Sequence, residues 1–162
     1  MTDAQTSDRA PFPVIAEALR RTIDAAVPLL RAIPASQAAE SRGPGKWSAQ
    51  QVIGHLIDSA ANNHQRFVRA QQTPALVFPP YLQDEWVESQ HYDARAWEDI
   101  LQLWHAYNRH LAHVIEHIPE TSRDVPCTIG EEPPVTLGFL AFDYVAHLQH
   151  HLRQVGVQIR HA

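Results

Sequence analysis

The 162-residue sequence predicts an all-α protein built as one four-helix bundle. Three observations carry this expectation. Four segments repeat apolar residues at the three- and four-residue spacing of amphipathic helices. Nearly all of the twelve prolines fall between those segments rather than inside them. The composition, 44% hydrophobic and 19% charged, is that of an ordinary globular domain, in a chain long enough for one core and too short for two. Four amphipathic stripes in one small domain are buried most simply against one another.

Residues 1–12 are polar, close on Ala-Pro-Phe-Pro, and read as a disordered tail, which leaves 13–162 as the single domain. A first helix over residues 14–31 follows from Val14, Ile15, Leu19, Ile23, Ala26, Val27 and Leu30, with Pro28 marking a kink or an early end. Residues 42–46, Arg-Gly-Pro-Gly-Lys, can only be a connector. Ser48 with Gln51 three residues on is a capping box, opening a second helix that Thr73-Pro74 stops near residue 72. The stretch 74–92, with Pro79, Pro80, Tyr81 and Trp86, reads as a long loop, of the kind that is functional or carries short structure of its own. Asp93 is the expected N-cap of a third helix reaching residue 117, with a stripe of Trp97, Ile100, Leu101, Trp104, Leu111, Val114, Ile115 and Ile118. After a connector over 119–134, Thr136 opens the last helix, which carries Phe139, Leu140, Tyr144, Leu148, Leu152 and Val155. No convincing strand, internal repeat or low-complexity tract is visible.

Charge and cysteine usage remove whole classes of function. The net charge is -5, with both signs mixed along the chain and no basic patch interleaved with aromatics, so no nucleic-acid partner is expected. No apolar run approaches a bilayer span, and the polar start lacks the apolar core of a signal peptide. The single cysteine, Cys127, excludes an intrachain disulfide framework and fits a reducing compartment, which makes the cytoplasm the expected location. Cys127 has no evident base beside it to make it a nucleophile.

Eleven histidines are many for this length, and their placement separates chemistry from surface. His147 and His151 stand four apart on the last helix, so their rings project from one face about one turn apart and can share a metal. On a helical wheel they fall roughly 100° and 60° from the apolar centre, on the same flank, whereas His150 points nearly opposite the core. The second helix carries a polar stripe of His55, Ser59, Asn62 and Arg66 beside its apolar face. That stripe can supply a third ligand, although a solvated face would also be polar. Asp58 lies close enough to serve as a partner for the His55 ring or for bound water. His105, His110, His113 and His117 look richer, yet they share a direction well away from the apolar centre of their helix and read as surface. His-Glu-x-x-His and phosphate-binding Gly-rich loops are absent, and the one Glu-x-x-His, Glu88 to His91, lies in the long loop.

Taken together, Trp47-Ser48-x-x-Gln51-Val52-x-x-His55-Leu56-x-Asp58-Ser59-x-x-Asn62-x-x-x-Arg66-Phe67 resembles the second-helix signature of the DinB/YfiT-like superfamily. His147-x-x-His150-His151-x-x-Gln154 resembles its last-helix signature, in the same order and separation. The resemblance implies a four-helix bundle holding one divalent metal through His55, His147 and His151. It also implies a homodimer acting on a small-molecule substrate. Some members of this superfamily transfer low-molecular-weight thiols such as bacillithiol to electrophiles, and a related mycothiol-dependent enzyme isomerises maleylpyruvate. Ala60 departs from the close YfiT-type pattern, which tends to place a further histidine there.

Three protein ligands leave a coordination position open, the pattern of catalytic rather than structural zinc. The expected activity is therefore transfer of a metal-activated thiol to an electrophile, or hydrolysis of a small substrate. Asp58, Ser59, Asn62, Arg66, Tyr144 and Gln154 are the candidates for supporting the ligands or binding substrate. Arg66 or Asn62 would hold a carboxylate or carbonyl, and Tyr81 and Trp86 would form a wall of the pocket. Imidazoles suit several metals, zinc and nickel first among them. The competing expectation is a non-catalytic, stress-associated metal-binding bundle, whose site would be closed by a fourth ligand such as Asp58, Asp143 or His91.

Overall fold

The computed structural model describes residues 8–157, so most of the expected tail, residues 1–7, lies outside the described residues, as do residues 158–162. The described residues form six α-helices: α1 (Phe12–Arg31), α2 (Ala35–Ala39), α3 (Ala49–Ala70), α4 (Gln83–Ser89), α5 (Trp97–Glu116) and α6 (Leu137–Gln154). The four long ones correspond to the four periodic segments. Phe12, read from the sequence as the end of the tail, instead begins α1 and is fully buried. Pro28 neither ends nor interrupts the helix, because it sits on the solvent side. Leu19, Ile23, Leu30, Ile53, Leu56, Ile100, Trp104, Leu111, Leu148 and Leu152 meet in one core, each contributing about 1.5–3 kcal/mol of burial free energy.

The bundle is a closed ring of packings. α1 packs on α5 and α6, and α3 packs on the same two, so α1 and α3 face each other across the diagonal. Only α1 to α3 and α5 to α6 thus need connections that cross the bundle, and the segments between the long helices carry the structure that periodicity had not revealed. A three-stranded sheet of β1 (Leu76–Phe78), β2 (Pro126–Ile129) and β3 (Val135–Thr136) corrects the expectation of no strands. β1 pairs in parallel with β2, and β2 antiparallel with β3, tying the α3–α5 connection to the α5–α6 connection. Strands of two to four residues are too short to show alternation in a sequence.

Both capping expectations at the helices that matter for the site hold. Ser48 Oγ accepts from the Gln51 amide at 3.1 Å while Gln51 Oε1 accepts from the Ser48 amide at 3.0 Å. Thr136 Oγ1 accepts from the Phe139 amide at 3.1 Å. Asp93 does not cap the third helix. His91 takes a left-handed conformation (φ 49°), residues 92–94 form a 3₁₀ turn, and α5 begins only at Trp97. The cause lies in α3: buried Gln50 Nε2 donates to the carbonyls of Tyr92 and Arg95, both at 2.6 Å, and holds those groups out of a helical ladder.

Candidate metal centre

The site lies between α3 and α6, neighbours in the ring. His55 is 1% exposed, set two turns into α3 by the capping box. His147 and His151 come from successive turns of α6. Their Nε2 atoms converge: His147 is 3.4 Å from His55 and 3.1 Å from His151. His151 Nδ1 lies 3.0 Å from Gln154 Oε1, an acceptor, so Nδ1 carries the proton and Nε2 is left as a free lone pair. The Trp47 ring, 5.0 Å from that of His55, covers the site beside the 42–47 connector.

Three imidazoles from two helices bring their Nε2 atoms within one coordination sphere of one another. The donor set is therefore that of a divalent metal, and one oriented by an outer hydrogen bond. Among the described residues Asp58, Asp143 and His91 stay outside this cluster, so none closes it as a fourth ligand. His113, Glu116 and His117 also bring ligand atoms within 4.8 Å of one another, but both histidines are exposed and Glu116 is paired with Arg20. His110 and His150 are exposed as well, and His105 is half-buried near Asp24.

Electrostatics agree with neutral ligands. Burial, reinforced by His151 and His147, pushes the His55 pKa down to about 3. Burial followed by His151 and His150 lowers His147 to about 4. Burial also lowers His151, against the upward pull of its bond to Gln154. These shifts predict acid lability in the metal-free protein. Folded-state values below the ordinary 6.5 mean that the unfolded chain binds more protons between about pH 6.5 and 4. Stability is then flat above that window and falls as pH falls through it, by up to about 1.4 kcal/mol per pH unit for the buried His55 alone. Thermal melts of metal-free protein from pH 8 to 4 should show this slope, and His55→Leu should flatten it. A melting temperature independent of pH below 6.5 would contradict the assignment.

The remaining candidate residues divide by what they touch. Ser59, Arg66 and Tyr144 line a cavity of about 190 Å³ that runs against His147, together with Asn63, Tyr81 and Asp143. The Tyr144 hydroxyl is already spent on Asn108 Oδ1, and its ring packs edge-on to Phe67. A second cavity, about 410 Å³, reaches the triad at His151, between Trp47 and Gln154, with Arg42 and Lys46 on its wall. Asn62 faces neither cavity. Its Nδ2 donates to the Asp58 carbonyl at 2.9 Å, and it lines a groove beneath residues 73–86 instead.

Of the two partners expected for Asp58, the His55 ring is not the one it takes. It does not hydrogen-bond the His55 ring, whose Nδ1 is buried without a partner among the described residues. Asp58 Oδ1 instead accepts from the Tyr92 hydroxyl and from Gln90 Nε2, both at 2.6 Å. Burial raises its pKa while those two bonds pull it down. Its chain partners lie more than thirty residues away, beyond the reach of any helical wheel. Trp47 and Arg42 were likewise missed as walls of the site, because their approach depends on how the 42–47 connector folds back. Arg42 is held there by bonds to the carbonyls of Trp47 and Gln154.

A family model described as the DinB superfamily matches residues 18–155. A protein of Oceanobacillus iheyensis, named as a suspected metal-dependent hydrolase, is 28% identical over 111 residues, 68% of this chain. The match spans 64% of that relative's length, just under two thirds. Among solved structures, YfiT from Bacillus subtilis, described as a probable metal-dependent hydrolase with an unusual four-helix bundle topology, superposes with a TM-score of 0.79. That likeness covers 96% of this chain and 86% of YfiT at 18% identity, and so speaks to the fold. With the family model matched along nearly its whole described length, the chain belongs to the DinB superfamily.

Proposed function

We propose that this protein is a divalent-metal-dependent enzyme acting on a small molecule, with the metal held by His55, His147 and His151. The observation that carries this reading is that two cavities reach the triad, one at His147 and one at His151, while no fourth protein ligand joins it among the described residues. A structural site would be closed. A divalent cation bound there supplies Lewis-acid polarisation and lowers the pKa of a water or thiol placed beside it.

The chain's own residues do the rest. Gln154 fixes the His151 tautomer and Trp47 shields the His55 side from solvent. The nucleophile is a low-molecular-weight thiol of the bacillithiol or mycothiol kind, or water. The thiol version is supported by the second, larger cavity, which offers Arg42, Lys46 and an aromatic wall to a polar co-substrate. Hydrolysis is supported by the names of the two relatives above.

Protein loaded with zinc or nickel, assayed with several bacterial thiols against chlorinated and epoxide acceptors, and separately with esters and amides, tests the two versions. Turnover that needs a thiol establishes transfer, and turnover without one establishes hydrolysis. No turnover in either panel with a fully loaded site would leave the non-catalytic, stress-associated bundle. The reading includes a cytoplasmic homodimer, and light scattering at the mass of a single chain would remove the dimer from it. Among the described residues no helix is long and apolar enough to cross a membrane.

A further inference from the structure

Asn62 and Arg66 stand one turn apart on α3, yet the fold assigns them different work. Asn62 spends its amide on the Asp58 carbonyl and lines the outer groove. Arg66 lines the 190 Å³ cavity against His147. Its guanidinium is half-buried, and Nε is buried with no hydrogen-bond partner among the described residues. What it does touch is weak: the Phe78 ring at 5.4 Å and Asn63 Oδ1 at 3.5 Å. No carboxylate of the described residues comes within ion-pair distance of it, Asp143 on the same cavity wall included. A cation withdrawn from water without a counter-charge costs free energy that the folded chain does not recover by itself.

Tyr81 completes the arrangement. It reaches the same cavity from the loop before α4, where it lies beside Ser59. Burial and the nearby Asp58 push its pKa up to about 12, so it stays a protonated donor. A planar guanidinium beside a neutral O–H donor is the complement of a carboxylate. Size narrows the choice further. About 190 Å³ lies below the range for drug-sized ligands. It holds on the order of six waters at their liquid volume of about 30 Å³ each, a size that favours a small acid.

We propose that this cavity binds a small carboxylate-bearing substrate, its carboxylate gripped by Arg66 and Tyr81 and its remaining carbons directed at the His147 side of the triad. This deepens the reading above by making the acid the smaller reactant and leaving the 410 Å³ cavity to the other. It rests on the metal reading for the chemistry, but not for the binding.

Calorimetric titration of the full chain, metal-free and zinc-loaded, with a series of straight-chain carboxylates from acetate to hexanoate and their matched amides, tests it. The acids should bind at least about 10-fold more tightly than the amides, since hydrogen bonds to charged groups exceed neutral ones by this much. Affinity should fall once the chain outgrows the cavity. Arg66→Gln should weaken acid binding by about 10- to 100-fold and Tyr81→Phe by about 2- to 10-fold. Arg69→Gln, one turn further along α3 and exposed, should leave it unchanged. Zinc content should stay the same in all three variants.

Arg66→Gln should melt no lower than the wild type, because it removes an uncompensated cation; a marked fall would identify Arg66 as a structural residue and overturn the proposal. Equal binding of acids and amides, or full acid binding in Arg66→Gln, would also overturn it. Acid binding that appears only with zinc and survives Arg66→Gln would place the carboxylate on the metal, with the same consequence. Acid binding that depends on Arg66 in a protein that never takes up zinc would support this site while removing the metal reading.

Discussion

Replacing any one of His55, His147 or His151 with alanine is expected to empty the metal centre, lowering affinity for zinc or nickel by at least about 100-fold. Loss of an outer-shell partner alone costs 10- to 100-fold, and a direct ligand counts for more. The three Nε2 atoms sit within one coordination sphere of each other, so two remaining rings cannot replace the third without moving a helix. Metal content measured by mass spectrometry on tag-free protein should be about one ion per chain in the wild type and in His113→Ala, and near zero in the three variants. Binding linkage gives an independent readout. A metal at 1,000 times its Kd stabilises the fold by about 4 kcal/mol, or on the order of 10 °C in Tm for a domain of this size. A chelator should therefore lower the wild-type Tm by that amount and leave the three variants unmoved. Metal retained in all three variants, or absent from wild type after reconstitution, would show that the triad is not the site.

Gly54→Ala is expected to destabilise the protein by about 3 kcal/mol, at the upper end of what overpacking costs. A Cβ at this position would stand 2.3 Å from the Tyr92 ring, where no real Cβ is found. Tyr92 is 4% exposed and cannot withdraw cheaply. Its hydroxyl holds Asp58 Oδ1, and its carbonyl accepts from Gln50. Moving the ring would strand a buried carboxylate with Gln90 as its remaining partner and would release the segment before α5. Urea denaturation should show a lowered midpoint with an unchanged m value, and hydrogen exchange should quicken over residues 90–96. An alanine variant as stable as wild type would mean that α3 and the 92–94 turn can separate without cost. Because Gly54 adjoins His55, zinc content should also be followed: the Tyr92 contact lies on another side of α3 from the triad, so a folded fraction should still bind metal.

The four long helices were legible because burying one face imposes a periodicity that any single segment displays. Leu19, Ile23, Ala26 and Leu30 need no knowledge of their partners to announce a stripe, and Ser48 with Gln51 announces a cap by chemistry confined to four residues. The pairing of His147 with His151 was legible for the same reason, since one helix fixes their separation. His55 was placed through its polar stripe and the family resemblance, and the packing of α3 on α6 brings its ring to the other two. Where a side chain's partner comes from another element, local pattern does not reveal it. Asp58 points to Tyr92 and Gln90 rather than to His55. Tyr81 reaches Ser59 and the cavity, and Asn62 and Arg66 part company although the wheel placed them together.

Order along the chain was thus sufficient for the number of long helices, their buried faces and the pair of histidines that share one turn. Packing alone settled the short sheet, the late start of α5, the two cavities beside the triad and the uncompensated charge on Arg66. The physical reason is range. Helical periodicity and capping are decided within one or two turns, whereas a side chain's partner across the bundle is chosen by the shape and charge of whatever the connections between helices bring against it.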